Sequence, residues 1–188
     1  MITLETEGRG GRDSLRKLID LHGGTIDVGI VTTAASENTL ERSFPASAKD
    51  FDERLKGVGL DHISKVLTVA IFELTYWDYS CWAREDYAET IGALWGIVLP
   101  TNISNEFAQF AAINEISEHE SITSPSYFKW RNKWCDVHSL YAHLISGRDV
   151  FVSGDVKNFR GQKADQLAKL GISNICSYDE ALKKALAL

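Results

Sequence analysis

The chain has little that would staple, stiffen or anchor it. It carries three prolines in 188 residues, and its three cysteines (Cys81, Cys135 and Cys176) are an odd number set far apart. Neither a disulfide framework nor a cysteine zinc site with paired spacing fits that usage. It reads instead as buried or free thiols in a reducing cytoplasm, the expected location. No apolar run approaches the roughly 18 residues of a membrane span, so no membrane partner is expected. The opening MITLETEGRGG lacks the apolar stretch of a secretory signal. Positive charge is also short: 20 Lys and Arg stand against 26 Asp and Glu, a net charge of −6. A generic polyanion-coating protein would be basic, so that class is excluded. An enzyme that meets nucleic acid only at a local metal site is not. Internal repeats and low-complexity tracts are absent as well.

What is there is an ordinary globular mixture, 44% hydrophobic and 24% charged. Its length suits one domain, 1–188, able to bury roughly 70% of its unfolded surface. Residues 2–6 (ITLET) alternate like a strand, and 13–22 place Leu15, Leu18, Ile19 and His22 at helical spacing before Gly23 and Gly24 stop them. Residues 26–33 read as a strand, and a helix is expected to start near Ala34–Ser36. Ser47 and Asp50 open an amphipathic segment with Phe51, Leu55 and Val58 on one face. Residues 62–71 read as a third strand. All five tryptophans (Trp77, Trp82, Trp95, Trp130 and Trp134) fall in the middle, where helices are predicted at 84–96 and 105–117. Residues about 72–132 thus read as a helical elaboration.

The last third is the most regular. A helix over 135–146 ends at Gly147, a strand covers 149–153, a helix 161–170, and a strand 172–176. Ser177 with Glu180 then forms a capping box for a terminal helix. Strands alternating with helices predict an α/β fold, a parallel-sheet sandwich with helices on both faces. Ligands of such sheets collect at the carboxyl ends of the strands.

Four carboxylates fall at those ends. Glu5 follows the first strand, Glu37 starts the helix after the second, Asp136 opens the helix that feeds the strand 149–153, and Asp155 closes that strand. If they converge, they are hard oxygen ligands suited to Mg²⁺ or Mn²⁺. Ions held there would act as Lewis acids on a phosphate oxygen and lower the pKa of a bound water. The hydroxyl of Ser153 is a supporting group. Arg131, Lys133, Lys157, Asn158 and Arg160 flank the two aspartates as phosphate contacts or as a solvated basic patch. His138 and His143 read as core or surface histidines, and GRGG at 8–11 lacks the Lys-Ser/Thr ending of a phosphate loop.

The segment CDVHSLYAHLISGRDVFVSGDVKNF (135–159) resembles the C-terminal half of a PIN-like domain, in which an Asp starts a helix, an apolar strand follows, and a small hydroxyl residue precedes another Asp. The tail LAKLGISNICSYDEAL (167–182) is similar to that family's ending, while ITLETEG and IDVGIVTTAASEN sit where its first two strands would be. The resemblance covers roughly the first and last 60 residues. It implies a metal-dependent nuclease fold, with Asp136, Asp155, Glu37 and Glu5 at the acidic positions and RNA as the substrate. Glu5 departs from the family's Asp there, with Glu7 as a substitute, and the tryptophan-rich middle is extra. A second expectation is a catalytically silent PIN-like module that binds a protein partner through its aromatic insertion; that insertion is also the expected surface for an inhibitor protein or a homodimer. A phosphatase-type or receiver-like domain fits less well, because ITLET supplies no Asp directly after a long first strand.

Overall fold

Gly11, held at a φ of 82°, turns the chain into the helix Arg12–Asp20. The structure is a computed structural model describing residues 10–33, 47–71, 74–99, 103–116 and 124–188. The predicted strand 2–6, the helix start near Ala34–Ser36, and the candidates Glu5, Glu7 and Glu37 lie outside the described residues. The chain divides into two compact units. The described parts of the first are 10–31, 49–66 and 143–188; those of the second are 32–33, 47–48, 67–71, 74–99, 103–116 and 124–142.

In the first unit, α1 (Arg12–Asp20) carries Asp13 in its first turn and Lys17 in its last, both favourable to the helix dipole. Strand β1 (Gly29–Val31) pairs in parallel with β2 (Ser64–Val66), Gly29 opposite Ser64 and Val31 opposite Val66. The crossover between them contains α2 (Ala48–Gly57), which buries Phe51 and Leu55 as its apolar spacing predicts. The second parallel pair joins β5 (Phe151–Val152) to β6 (Ile175–Cys176). Its crossover runs through a 3-10 turn (Val156–Phe159) and α6 (Gln162–Lys169), whose Leu167 is fully buried. Helix α7 (Tyr178–Ala185) starts on the expected capping box: the Ser177 hydroxyl accepts from the Glu180 N–H and the Glu180 carboxylate accepts from the Ser177 N–H. Leu18, Cys176, Ala181 and Ala185 share one small core, with Val150 and Val152 packed against it. Ser14 of α1 donates to the Asp179 carboxylate of α7.

The first unit also depends on one close approach. A methyl group placed on Gly29 would sit 2.6 Å from Val66 Cγ2 and 2.7 Å from Arg148 Cζ. The missing side chain lets the guanidinium of Arg148 cross β1. There it donates to the Asp27 carbonyl (2.8 Å), the Asp27 carboxylate (3.0 Å) and the Ser64 hydroxyl (3.1 Å).

The second unit contains the parallel pair β3 (Thr68–Val69) and β4 (Ser80–Cys81), the helices α3 (Tyr87–Val98) and α4 (Phe107–Ile113), and most of α5 (Pro125–Ser146). Aromatic rings fill its core, Trp95, Trp130 and Trp134 among them. Phe107 lies 5.1 Å from Tyr127 and 5.6 Å from Trp130, in the ordinary range for ring pairs. The indole N–H groups of Trp95 and Trp130 donate to the carbonyls of Ile103 and Ser104, so burial leaves neither polar tip unsatisfied.

The mixed α/β class therefore holds, with helices predominating and all named strand pairs parallel. The sandwich expected of it is not what the described residues form: their strands make three separate two-stranded pairs. Two local expectations also change. The run 62–71 is not one strand, because β2 pairs with β1 whereas β3 pairs with β4. The helix expected at 135 begins ten residues earlier, at Pro125, where the Ser124 hydroxyl accepts from the Tyr127 N–H. Proline suits a first helical turn because its missing donor has no partner there anyway.

Candidate functional site

Asp155 stands just past the carboxyl end of β5, where the sequence places it. Its local geometry follows from the short turn SGD. The Ser153 hydroxyl accepts from the Asp155 N–H at 3.1 Å, and the side-chain amide of Asn158 donates to the Asp155 carboxylate. These bonds orient an exposed carboxylate without burying it. Ser153 and Asn158 are thus gathered on Asp155, though Asn158 serves the carboxylate instead of standing apart as a phosphate contact. Lys157, between them in sequence, is exposed. Arg160 reaches Glu180 at 2.7 Å. Bonds from the Ser177 N–H and hydroxyl, more than the charge of Arg160, hold the Glu180 carboxyl below its usual pKa.

Asp136 is placed differently from expectation. It lies in the middle of α5 instead of opening a helix, so neither a capping role nor the helix dipole accounts for it. It is partly exposed and 3.6 Å from Lys133, one helical turn back. Lys133 is therefore engaged with the carboxylate it was expected to flank. Arg131 is a correction: its side chain is fully buried, near Tyr76, Tyr127 and Cys135. A guanidinium sealed from solvent is removed from the expected surface contacts to phosphate. Asp155 belongs to the first unit and Asp136 to the second. Among the described residues, no group of three or more His, Cys, Asp or Glu side chains is placed to hold a metal ion. What the described residues offer is donor chemistry: an oriented, exposed carboxylate of the hard type that Mg²⁺ and Mn²⁺ prefer.

The second unit holds a titratable cluster that does not take part in the expected chemistry. His138 is 1% exposed and stacks on Trp134, four residues earlier in α5, with centroids 3.4 Å apart. Its Nδ1 donates to the Trp134 carbonyl (2.9 Å), so the bare Nε2 accepts from the Tyr87 hydroxyl (2.9 Å). Burial lowers the His138 pKa to about 4, and burial raises that of Tyr87 to about 12. Both shifts oppose transfer of the tyrosine proton to histidine, so the pair is a structural bond and not an activated nucleophile. Of the two places expected for it, core or surface, His138 takes the core. His143 is likewise buried, packs edge-on against Phe151 at 5.5 Å, and has its pKa lowered by burial first and Arg148 second.

Two features escape sequence reasoning. The bond from Tyr87 to His138 joins residues far apart in the chain, and no local pattern marks it. The exposure of Trp77 and Trp82, at 62% and 85%, sets them apart from the core indoles, and only the packing reveals it. No helix of the described residues is long and apolar enough to cross a membrane. Comparison with known proteins gives no match to a family model, a curated protein or a solved structure.

Proposed function

We propose that the chain is a metal-dependent phosphodiesterase of PIN-like type, a nuclease acting on RNA with Mg²⁺ or Mn²⁺. The observation that carries this reading is Asp155: an exposed carboxylate beyond the carboxyl end of a parallel strand, oriented by Asn158 and by the turn built on Ser153. Parallel α/β folds place their ligands at that edge. Asp136, Glu37 and Glu5 enter the proposal from the resemblance alone, as further acidic positions. A bound ion would supply Lewis acidity and an activated water. The chain's own contribution at Asp155 is a fixed carboxylate direction and a nearby cation, Lys157, for a phosphate oxygen. Because the net charge is −6, non-specific affinity for nucleic acid is expected to be weak, leaving selectivity to the site itself.

The test is cleavage of a single-stranded RNA oligonucleotide with Mn²⁺ present or chelated. Asp155→Asn should abolish metal-dependent cleavage with the fold intact, since the side chain is exposed. Undiminished cleavage by that variant would refute the assignment. A second reading, the silent module that binds a protein partner, is favoured by the exposed indoles of Trp77 and Trp82. It predicts no cleavage and no Mn²⁺-dependent rise in melting temperature.

A further inference from the structure

His22 and His62, both in the first unit, lie with ring centroids 5.9 Å apart and planes inclined at 50°. Each is set on anchored backbone. His22 follows α1, its N–H donates to the Ile19 carbonyl at 2.9 Å, and it bridges to Ile26. His62 is exposed and precedes the buried Ile63, whose N–H donates to the Leu60 carbonyl at 3.1 Å.

Nδ1 of His22 has two neighbours that call for opposite protonation. The Val28 N–H donates to it at 3.0 Å, and the Asp27 carboxylate stands 3.4 Å away. The bond from Val28 requires a bare Nδ1, which puts the proton on Nε2. A bond to Asp27 requires the proton on Nδ1, which gives up the bond from Val28 and bares Nε2 as a ligand. Asp27 is held ready for the second arrangement, because Arg148 grips its other carboxylate oxygen at 3.0 Å and its carbonyl at 2.8 Å. A histidine that ligates through one nitrogen and donates to a carboxylate through the other is the usual support for a metal-bound imidazole.

The spacing fits one shared ion. With metal–nitrogen bonds of about 2.0–2.1 Å, two imidazole centroids lie about 5.2 Å apart at a tetrahedral angle and about 6.4 Å apart when opposed. The observed 5.9 Å falls between these limits. Imidazole selects ions such as Zn²⁺, Ni²⁺ or Cu²⁺ over Mg²⁺ or Mn²⁺. We propose that His22 and His62 together bind one such ion, with Asp27 positioning His22 and solvent completing the shell. The ion would pin the end of α1 to the segment entering β2. This site does not depend on the nuclease reading.

The experiment is a titration of the full chain with ZnCl₂ at pH 7.5, followed by calorimetry and by thermal denaturation. One equivalent should bind and raise the melting temperature. His62→Gln, at an exposed position, should remove both effects while keeping the metal-free melting temperature. Asp27→Asn should weaken binding roughly 10-fold or more, the usual cost of losing such a support. In ¹⁵N spectra of the imidazoles, zinc should move the His22 proton from Nε2 to Nδ1, a change that a purely structural contact would not produce. Failure of 1 mM zinc to bind, or binding unchanged in His62→Gln, overturns the proposal and leaves the two rings as an ordinary aromatic pair.

Discussion

The imidazole of His138 lies nearly flat on the indole of Trp134, the two planes only 15° apart. The position is buried, and the ring's two nitrogens are already committed to the Trp134 carbonyl and the Tyr87 hydroxyl. A proton added to Nε2 would turn the acceptor of the Tyr87 bond into a donor. The ring therefore stays neutral in the fold far below the pH at which it would ionise in the open chain.

The consequence is a pH-dependent stability. The folded pKa of about 4 lies below the ordinary 6.5, so the unfolded chain binds the extra proton first. The contribution is complete above pH 6.5 and is lost as pH falls towards 4, in total about 3 kcal/mol. Urea unfolding between pH 7 and 4 should show that loss, and His138→Gln should flatten much of it. An equal slope in the variant would show that other groups carry the dependence.

The cap of α7 gives a second expectation. Ser177→Ala removes the hydroxyl that accepts from the Glu180 N–H, and should cost about 1 kcal/mol. Ser177→Asp, which keeps an acceptor at the cap, should recover most of the loss. Urea midpoints of the three proteins decide it.

Gly29→Ala tests the crossing of Arg148 over β1. The new methyl would meet Val66 and the guanidinium at 2.6 and 2.7 Å, closer than such atoms approach. The expected loss is about 1–3 kcal/mol, the usual range for overpacking. It should shrink in an Arg148→Ala background, because one of the two obstructions is then gone. A double-mutant cycle measures that coupling.

Trp82→Ala should barely alter stability, by no more than about 0.5 kcal/mol, since the indole is 85% exposed. Trp134→Ala should cost about 3–5 kcal/mol, because that indole is 3% exposed and carries His138. Thermal unfolding of the two variants separates the solvent-facing tryptophans from those of the core.

How much of this could be read from the chain alone follows from the range of each interaction. Ser177 and Glu180 announce α7 because a capping box is complete within four residues. Phe51 and Leu55 mark α2 in the same way, and the SGD turn places Asp155. The strand run 62–71 misleads because its β-branched residues continue on both sides of Leu67, which does not show that β2 and β3 take different partners. Asp136 misleads for another reason. The sequence just before it contains no breaker, so α5 extends back to Pro125, and a residue expected at a helix start becomes an interior one. The His22 and His62 pair was beyond reach of any window, since the rings meet only after α1 and β2 are in place.

The three-segment build of the first unit sets an order of events during synthesis. Helix α1 is among the first described segments to leave the ribosome, yet Ala181 and Ala185, which complete its small core with Leu18, come from α7 near the other end of the sequence. At about 5–20 residues per second, α1 waits many seconds with that apolar face uncovered. The described parts of the second unit, which fall between residues 32 and 142, are translated before the wait ends. Vectorial folding would thus finish the described parts of the second unit first, leaving α1, among the described helices, exposed longest to chaperones and to aggregation.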